Sequence, residues 1–314
     1  MAEREVVAFH RGWKTAVPGT AAPTGQDGGG KALRPALAFL SAAAVGAEPA
    51  SVLAGAVAVE LVHDFSLVHD DVIDADPLRR HRPAVWKEFG TPTAVLVGDA
   101  LLARAMGHLA KAPGPAGGRA VRELAAALER LLLGQSQDVA FEKAERISVA
   151  EYLEMAAGKT GALTGCACAL GGLLPGLPER RVNKLRDFGR HLGIAFQCAD
   201  DVLGIWGLPE RSGKPVGADV AARKKSLPVV AALAADNQAG RDLNALYGQS
   251  DPFSAQDVHR ATRLIEEAGG RAAAEQEAAR QVDHAMRALS GAEPVGHVYR
   301  QLHDLARSLI RRDH

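Results

Sequence analysis

The sequence predicts an all-α protein, and two observations lead to this expectation. Alanine and leucine dominate long stretches in which apolar residues recur every three or four positions, as in Val52-Leu53-Ala56-Val57-Val59-Leu61. No segment shows sustained two-residue alternation of β-branched residues between Asn-Gly or Asp-Gly turns, which disfavours a sheet-based fold. We therefore expect one large bundle of helices.

Glycine and proline mark the joints between the predicted helices. These breakers are concentrated in residues 17–30, 112–118, 174–178 and 207–217, and helix-sized segments lie between them. None of the joints is long or polar enough to indicate two domains, and no repeat of solenoid length is present. We expect a flexible N-terminal segment over residues 1–27 and a single domain over residues 28–314. The charged stretch 208–225 is the best candidate for a mobile lid.

The composition excludes several classes of partner. The 314 residues contain 37 Lys and Arg against 37 Asp and Glu, so no net field attracts nucleic acid or an acidic membrane surface. Three cysteines, Cys166, Cys168 and Cys198, are too few for a disulfide framework. Residues 1–20 contain no apolar stretch of signal length. We expect a cytoplasmic protein that binds no nucleic acid and does not insert stably into a membrane.

A cluster of carboxylates, Asp70, Asp71 and Asp74, ends an apolar predicted helix. Carboxylates are rarely buried unless they are paired or bound to metal. On a helix Asp70 and Asp74 are one turn apart, and His63 lies two turns before Asp70, so the three share a face. Oxygen ligands at this spacing suit magnesium, which is usually held by one or two carboxylates together with substrate phosphates.

The alternative for this cluster is a solvated helix end. Three carboxylates at a helix C-terminus oppose the helix dipole by roughly 0.3–1 kcal/mol each, and a bound cation would remove that conflict. Arg79 and Arg80 follow within reach. Arginines beside carboxylates suit a site for a metal-complexed phosphate.

A second apolar helix ends in Asp200 and Asp201, with Gln197 one turn before them. Alone, the pair also fits an acidic helix end. Two such clusters facing each other in a bundle would repel a diphosphate unless several divalent ions lay between them. Gln197 could hydrogen-bond a ligand or orient a carboxylate.

Lysines recur beside glycines at Lys31, Lys159 and Lys214, and Lys224 follows without a glycine. Glycine lets the backbone approach a phosphate closely, although each position alone is more typical of a solvated surface lysine. The glycine and lysine order of an ATP-binding Walker loop is absent from the sequence.

Taken in order, these motifs resemble the trans-isoprenyl diphosphate synthase (polyprenyl synthetase) family from about residue 28 to the last helices. Residues 29–35 resemble its N-terminal basic motif, and residues 70–80 its first aspartate-rich motif. Residues 98–99, 159–160, 196–201, 214 and 224 complete the match. The resemblance implies an isoprenoid-synthase-type helical bundle with a central cavity between the two aspartate motifs.

The resemblance also implies an activity, in which isopentenyl diphosphate is condensed with an allylic diphosphate (dimethylallyl, geranyl or farnesyl). It implies three magnesium ions and a homodimer. Asp70, Asp74 and Asp200 would be the main metal ligands, with Asp71 and Asp201 contributing indirectly or through water. Residues implied to bind the allylic diphosphate are Arg79, Lys159 and Lys214, and those implied to bind isopentenyl diphosphate are Lys31, Arg34, His63 and Arg80. Lys224 is implied to contribute further to substrate binding. Thr160 and Gln197 are implied to stabilise the carbocation.

The chain departs from the family pattern at two positions, and two further residues bear on the chain length of the product. The family's second motif ends in a third Asp where this chain has Gly204, and its basic motif commonly has Arg where this chain has Ala32. Loss of a supporting carboxylate typically lowers metal affinity by roughly ten- to a hundredfold. By resemblance, Phe65 and Ser66 before the first motif would set product length. They suggest geranylgeranyl diphosphate, with farnesyl diphosphate next.

Two other functions remain open from the sequence. A terpene synthase would ionise a prenyl diphosphate without coupling it, but the residues assigned to isopentenyl diphosphate argue against this. A non-catalytic subunit that regulates an active homologue is the other alternative, and the nearly complete motifs argue against it.

Overall fold

The structure, a computed structural model, describes residues 3–13, 32–80, 82–113, 116–207 and 216–311. Lys31 and Lys214 lie outside these residues, as does the part of the candidate lid over residues 208–215. Within them the chain is almost entirely helical, which confirms the predicted fold class. The helices are α1 (Glu3–His10), α2 (Leu33–Ala44), α3 (Leu53–Ile73), α4 (Val85–Phe89), α5 (Thr91–Leu109), α6 (Ala116–Lys143), α7 (Val149–Ala156), α8 (Ala162–Leu173), α9 (Glu179–Trp206), α10 (Ala218–Ala221), α11 (Leu227–Leu233), α12 (Gln238–Tyr247), α13 (Ala255–Glu267), α14 (Gly270–Ser290) and α15 (Gly296–Ile310).

Three short elements complete the described structure. A 3-10 turn, Pro49–Val52, leads into α3, and a π-helical segment, Ala157–Gly161, joins α7 to α8. The strands β1 (Leu78–Arg79) and β2 (Arg82–Pro83) pair antiparallel in a small hairpin after α3.

The centre of the bundle is α8, whose residues are all buried. It consists of small and apolar residues without charges, so neighbouring helices can pack closely around it. Helices α2, α3, α6 and α9 contact it, and α9 also packs along α14. The two helices that carry the aspartate clusters, α3 and α9, therefore both lie against the same central helix.

Helix α3 is apolar enough to be mistaken for a membrane span. The segment Pro49–Ile73 is long and apolar enough to cross a bilayer, judged by length and composition only. In the structure this helix packs against α2, α5 and α8 and buries Val59, Val62 and Phe65. Its apolar surface is thus accounted for by the core of the bundle.

Helix α1 forms packed structure where the sequence analysis expected a flexible segment over residues 1–27. Its Val6 and Phe9 are buried, Phe9 meets Phe89 edge to face, and the Arg82 guanidinium lies over the Phe9 ring. Apolar and aromatic contacts of this kind offset the entropy of ordering a short helix. Residues 14–31 lie outside the described part of the chain.

The three cysteines, Cys166, Cys168 and Cys198, are free and buried. Burial raises the pKa of each thiol, which leaves the cysteines as small core groups. The cytoplasmic location stays a prediction.

Candidate diphosphate and metal site

The first aspartate cluster lies at the C-terminal end of α3, where Asp70 is half-buried and Asp74 is exposed. Burial raises the pKa of the Asp70 carboxyl to about 6. Lys159 and Arg79 oppose this rise, and Asp74 and Asp138 add to it. Two other carboxylates and two cationic side chains therefore lie within electrostatic reach of Asp70.

Asp71 has a different role from its neighbour. Its side chain is 1% exposed and accepts hydrogen bonds from Arg79, one of them from Nε at 2.9 Å. Burial raises the pKa of Asp71, and the Arg79 guanidinium opposes that rise. The arginine holds Oδ1, whereas Oδ2 is buried without a hydrogen-bond partner. This arrangement fits the indirect part expected for Asp71, and its role at the metal site stays a prediction. Arg79, expected on the allylic diphosphate, is partly committed to this carboxylate.

The hairpin after α3 explains how Arg79 reaches Asp71. Ala75 and Arg80 both adopt left-handed backbone conformations, with φ of 53° and 52°. The chain turns at Ala75, and β1 then carries Arg79 back over the end of the helix. Arg80, at the tip of the hairpin, is exposed.

The second aspartate cluster lies near the C-terminal end of α9. Asp200 is half-buried, whereas Asp201 is 3% exposed. Asp201 accepts hydrogen bonds from the Tyr152 hydroxyl, from the backbone N–H of Leu227 at 2.7 Å and from the Gln197 amide at 3.0 Å. These three donors engage both carboxylate oxygens, which fits the indirect part expected for Asp201; its role at the metal site stays a prediction.

Thr160 and Gln197, both expected to stabilise the carbocation, lie in hydrogen-bond contact. The Thr160 hydroxyl donates to Gln197 Oε1 at 2.7 Å, and the Gln197 amide donates to Asp201. Since Asp201 accepts from the Gln197 amide, the orientation of that amide is fixed and its oxygen faces Thr160. This chain of hydrogen bonds links the π-helical segment to α9.

The π-helical segment carries Lys159 and Thr160, and two glycines let it lie directly against α6. A Cβ on Gly134 would come within 2.2 Å of the Lys159 backbone nitrogen, and one on Gly158 within 2.8 Å of the Arg130 carbonyl oxygen. One turn after Gly134, Asp138 pairs with Lys159 Nζ at 2.5 Å. Local π-helical turns of this kind often occur at functional sites.

Lys224 is a second lysine that lies within electrostatic reach of the carboxylates of this site. Burial alone would lower the pKa of its ammonium group, but Asp219, Asp138, Asp201 and Asp74 together raise it above its ordinary value. Its neighbours Arg223 and Lys225 instead donate to backbone carbonyls elsewhere. Of these three consecutive basic residues, Lys224 is the one directed at the carboxylates.

The space opposite Gly204 is filled by another carboxylate. A Cβ placed on Gly204 would lie 2.1 Å from Asp219 Oδ2 and 2.8 Å from Asp219 Cγ. Residue 204 is one turn beyond Asp200 on α9, so the Asp219 carboxylate occupies the position to which a side chain at residue 204 would point. The carboxylate that the second motif lacks in sequence is thus matched by one from α10.

The residues expected to hold isopentenyl diphosphate form a basic group around His63, which lies two turns before Asp70 on α3. Burial lowers the pKa of His63 well below its ordinary value, and the nearby Arg34, Arg80, Arg11 and His10 lower it further. The imidazole is therefore neutral among cationic side chains. Arg34 Nε and His63 Nδ1 are buried without hydrogen-bond partners. Buried unpaired polar atoms are costly, so these groups fit a pocket that an anionic ligand completes.

Phe65 and Ser66, which are expected to set product length, lie on α3 about one turn before Asp70. Phe65 is 4% exposed, and its ring packs against His69 with 4.7 Å between ring centroids. His69 in turn lies so close to Gly98 that a Cβ there would meet its Nε2 at 2.2 Å. The half-buried Ser66 donates to the carbonyl of His63 at 2.8 Å.

The donors present fit hard divalent cations in an open site. Within the described ranges, no three His, Cys, Asp or Glu side chains converge closely enough to enclose an ion by themselves. Magnesium rarely needs such a cage, since it keeps several waters and binds one or two carboxylates with substrate phosphates. Carboxylates from α3 and α9 would each supply part of the coordination, and the substrate the rest.

Sequence reasoning missed four residues that the structure brings to this region, namely Arg11, Asp138, Tyr152 and Asp219. Asp138 and Tyr152 occupy ordinary positions in amphipathic helical patterns, and Arg11 lies in a segment expected to be flexible. Their partners are distant in sequence, so local spacing carries no signal for them.

Comparisons with known proteins find relatives that match most of the chain. The family model described as polyprenyl synthetase matches residues 20–265. A geranylgeranyl diphosphate synthase of Mycobacterium tuberculosis is 44% identical over 288 residues, covering 91% of this chain and 81% of the relative. A (2E,6E)-farnesyl diphosphate synthase of Mycobacterium bovis is 43% identical over 312 residues, covering 98% and 86%.

Solved structures are similar over nearly the same length. A polyprenyl synthetase from Streptomyces coelicolor A3(2) has a TM-score of 0.92 and 46% identity, covering 98% of this chain and 92% of that one. A geranylgeranyl pyrophosphate synthase from Corynebacterium glutamicum, complexed with isoprenyl diphosphate and magnesium, has a TM-score of 0.82 and 26% identity, covering 90% and 87%.

Proposed function

The chain belongs to the polyprenyl synthetase family, and on that premise we propose that it condenses isopentenyl diphosphate with an allylic diphosphate to give a short-chain prenyl diphosphate. The observation that carries this proposal is that Lys224 lies within electrostatic reach of Asp74, at the end of α3, and of Asp201, next to Asp200 on α9, while Lys159 lies within reach of Asp70. Carboxylates and lysines in one cleft suit a metal-complexed diphosphate.

Asp70, Asp74 and Asp200 would hold the divalent ions, for which we propose magnesium, three ions in all. Bound ions would withdraw electrons from the allylic diphosphate and neutralise the charge of the leaving group. The magnesium in the Corynebacterium glutamicum structure supports this choice, as does the all-oxygen donor set. Asp71 and Asp201 orient their surroundings, Asp71 by fixing Arg79 and Asp201 by fixing Gln197.

Lys159 and Lys224 stabilise the diphosphate as the allylic C–O bond breaks and negative charge accumulates on its oxygens. Lys159 is paired with Asp138, which holds its ammonium group in place. Lys214, outside the described residues, is proposed for the same role from its place in the motif. The Thr160 hydroxyl oxygen and the Gln197 amide lie together, where their dipoles can stabilise the allylic cation.

Isopentenyl diphosphate occupies the basic group formed by Arg34, His63 and Arg80, with Lys31 proposed from the motif. Its double bond attacks C1 of the allylic cation, forming a new C–C bond and a tertiary cation. Loss of a proton, for which the departing diphosphate is the proposed acceptor, restores a double bond. The product is longer by one isoprene unit, and one diphosphate is released.

We propose geranylgeranyl diphosphate as the product, with farnesyl diphosphate as an alternative that the relatives support equally. The names of the Mycobacterium relatives divide between these two products. The buried Phe65, backed by His69 over Gly98, fits the floor of a cavity of limited depth.

Product analysis tests this proposal. The protein is incubated with magnesium, isopentenyl diphosphate and either dimethylallyl, geranyl or farnesyl diphosphate, and the products are identified by mass spectrometry. We expect isopentenyl units to be incorporated and elongation to stop at twenty carbons, or at fifteen for the farnesyl alternative. Release of diphosphate without incorporation would identify a terpene synthase-like activity instead. No turnover until a second subunit is added would identify a regulatory subunit.

We also propose a homodimer. Neighbouring helices α5 and α6 expose Leu96 (68%), Leu132 (47%) and Leu133 (59%). Large apolar side chains exposed together mark an interaction surface. Light scattering coupled to size-exclusion chromatography should give twice the mass of the chain, and a monomeric mass would contradict the proposal.

A further inference from the structure

The N-terminal helix places one arginine beside the proposed isopentenyl pocket. Arg11, just beyond the end of α1, donates from Nε to Asp64 Oδ2 at 2.7 Å and from Nη1 to Glu60 Oε1 at 2.8 Å. Its side chain is only 12% exposed, and those of Glu60 and Asp64 are 15% and 5% exposed. His10 adds a nitrogen 3.5 Å from Asp64 Oδ1. Glu60 and Asp64 are one turn apart on α3, so a single guanidinium bridges both.

These carboxylates lie beside the pocket on α3. His63 directly precedes Asp64, and Arg34 and Arg80 lie within electrostatic reach of Glu60. Glu60 Oε2, Arg34 Nε and His63 Nδ1 are all buried without hydrogen-bond partners. Cationic groups that can bind an anionic diphosphate therefore lie next to two carboxylates, Glu60 and Asp64, which would repel that diphosphate.

The excess of positive charge in this region depends on Arg11, because three arginines surround the two carboxylates with it and only two do so without it. If its guanidinium were absent, the two carboxylates would be left without their bridging partner. They would then attract the arginines that should face the substrate. Charges at this separation in a partly buried site interact strongly. An arginine suits this position because its planar fork can bond two carboxylates at once.

We infer that Arg11 is a positioning residue for isopentenyl diphosphate, acting by neutralising Glu60 and Asp64 so that Arg34, His63 and Arg80 remain available to the substrate's diphosphate. This inference rests on the proposed function of the pocket. It assigns to the N-terminal helix a part in substrate recognition, and it assigns Arg11 no contact with the reacting atoms.

Substitution of Arg11 tests the inference. In Arg11→Gln we expect the KM for isopentenyl diphosphate to rise at least about tenfold, while the KM for the allylic diphosphate and kcat at saturation stay within about twofold. Arg11→Lys keeps the charge without the fork and should give an intermediate KM. Isothermal titration of isopentenyl diphosphate into each protein should give the same ranking without turnover.

Two control variants separate electrostatics from the docking of α1. Arg104→Gln removes the exposed bridge from α5 to Glu3 on the same helix and should leave every constant unchanged. The triple variant Arg11→Gln/Glu60→Gln/Asp64→Asn removes the two carboxylates as well as their partner, and it should recover most of the lost affinity. Thermal unfolding of each variant checks that α1 stays folded on the bundle.

The outcomes distinguish this inference from the function on which it rests. Unsubstituted protein that fails to elongate any allylic substrate would refute the proposed function. Equal affinity of Arg11→Gln and unsubstituted protein for isopentenyl diphosphate would overturn the inference, and so would absence of binding by the unsubstituted protein. A triple variant as weak as Arg11→Gln would also overturn it, because the effect would then come from docking of the helix.

Discussion

At the scale of single residues, neighbouring aspartates in the two motifs differ in burial and in partners. Asp70 and Asp200 are half-buried, whereas Asp71 and Asp201 are almost fully buried and bonded to protein donors. Successive residues on a helix point about 100° apart, so two adjacent carboxylates cannot both face the same cleft. One of each pair can therefore hold an ion while the other fixes the groups around it.

Gly204 supplies a prediction at this scale. In Gly204→Ala the new Cβ would lie 2.1 Å from Asp219 Oδ2, so the Asp219 carboxylate must move. The end of a flexible side chain moves easily, and we expect thermal stability to be unchanged. If this carboxylate supports a bound ion, the affinity for magnesium in the presence of inorganic diphosphate should fall roughly ten- to a hundredfold. Isothermal titration measures this affinity.

The matched control for this variant is Gly107→Ala. Gly107 is also helical, and a Cβ there meets nothing within 4 Å. Magnesium affinity should be unchanged in this variant, with stability equal or slightly higher. An unaltered magnesium affinity in Gly204→Ala would mean that Asp219 does not serve the metal site.

At the scale of elements, the contact between α6 and the π-helical segment sets the position of Lys159. Gly134 and Gly158 allow the two backbones to touch, and Asp138 then reaches Lys159 Nζ. Any side chain at residue 134 would push the segment away from α6. The placement of one functional lysine thus depends on a residue that has no side chain.

Gly134→Ala tests this dependence. The added Cβ would lie 2.2 Å from a backbone nitrogen, which cannot move alone, so we expect a loss of about 1–3 kcal/mol in the free energy of unfolding. We also expect a higher KM for the allylic diphosphate, since Lys159 would shift. Urea denaturation and steady-state kinetics measure the two effects.

Gly118→Ala, on the same helix, is the control. The nearest atom to a Cβ there is Arg122 Nη1 at 3.8 Å, so stability should stay the same or increase slightly. Equal stability of the two alanine variants would contradict the close packing of α6 on the π-helical segment.

At the scale of the whole molecule, the sequence predicts the helical fold and the two aspartate clusters because both follow from local spacing. Apolar periodicity identifies α3 and α9, and the carboxylates at their ends break that pattern. The sequence could not predict the partners of Asp71 and Asp201, because Arg79 returns through a hairpin and Tyr152 approaches from another helix. The packed helix α1 was also missed. Its burial depends on Phe89 and Arg82, which lie far from it in sequence.

The same limit applies to Gly204. From sequence it is a missing carboxylate, and only the fold brings Asp219 of α10 against it. The two residues are separated by the stretch that contains Lys214, most of which lies outside the described structure. Spacing along the chain cannot reveal that a carboxylate from a different helix lies where a side chain at residue 204 would point.

The central claim is that carboxylates from α3 and α9, acting with magnesium, activate a diphosphate for prenyl transfer. The most direct test is the rate of isopentenyl incorporation by unsubstituted protein and by Asp70→Ala, each with magnesium and with excess EDTA. Asp236→Ala, which removes an exposed carboxylate far from the motifs in sequence, is the control. We expect incorporation only with magnesium, and a loss of at least about a hundredfold in Asp70→Ala with the thermal unfolding temperature unchanged or higher. Full activity of Asp70→Ala, or undiminished incorporation in EDTA, would contradict the account.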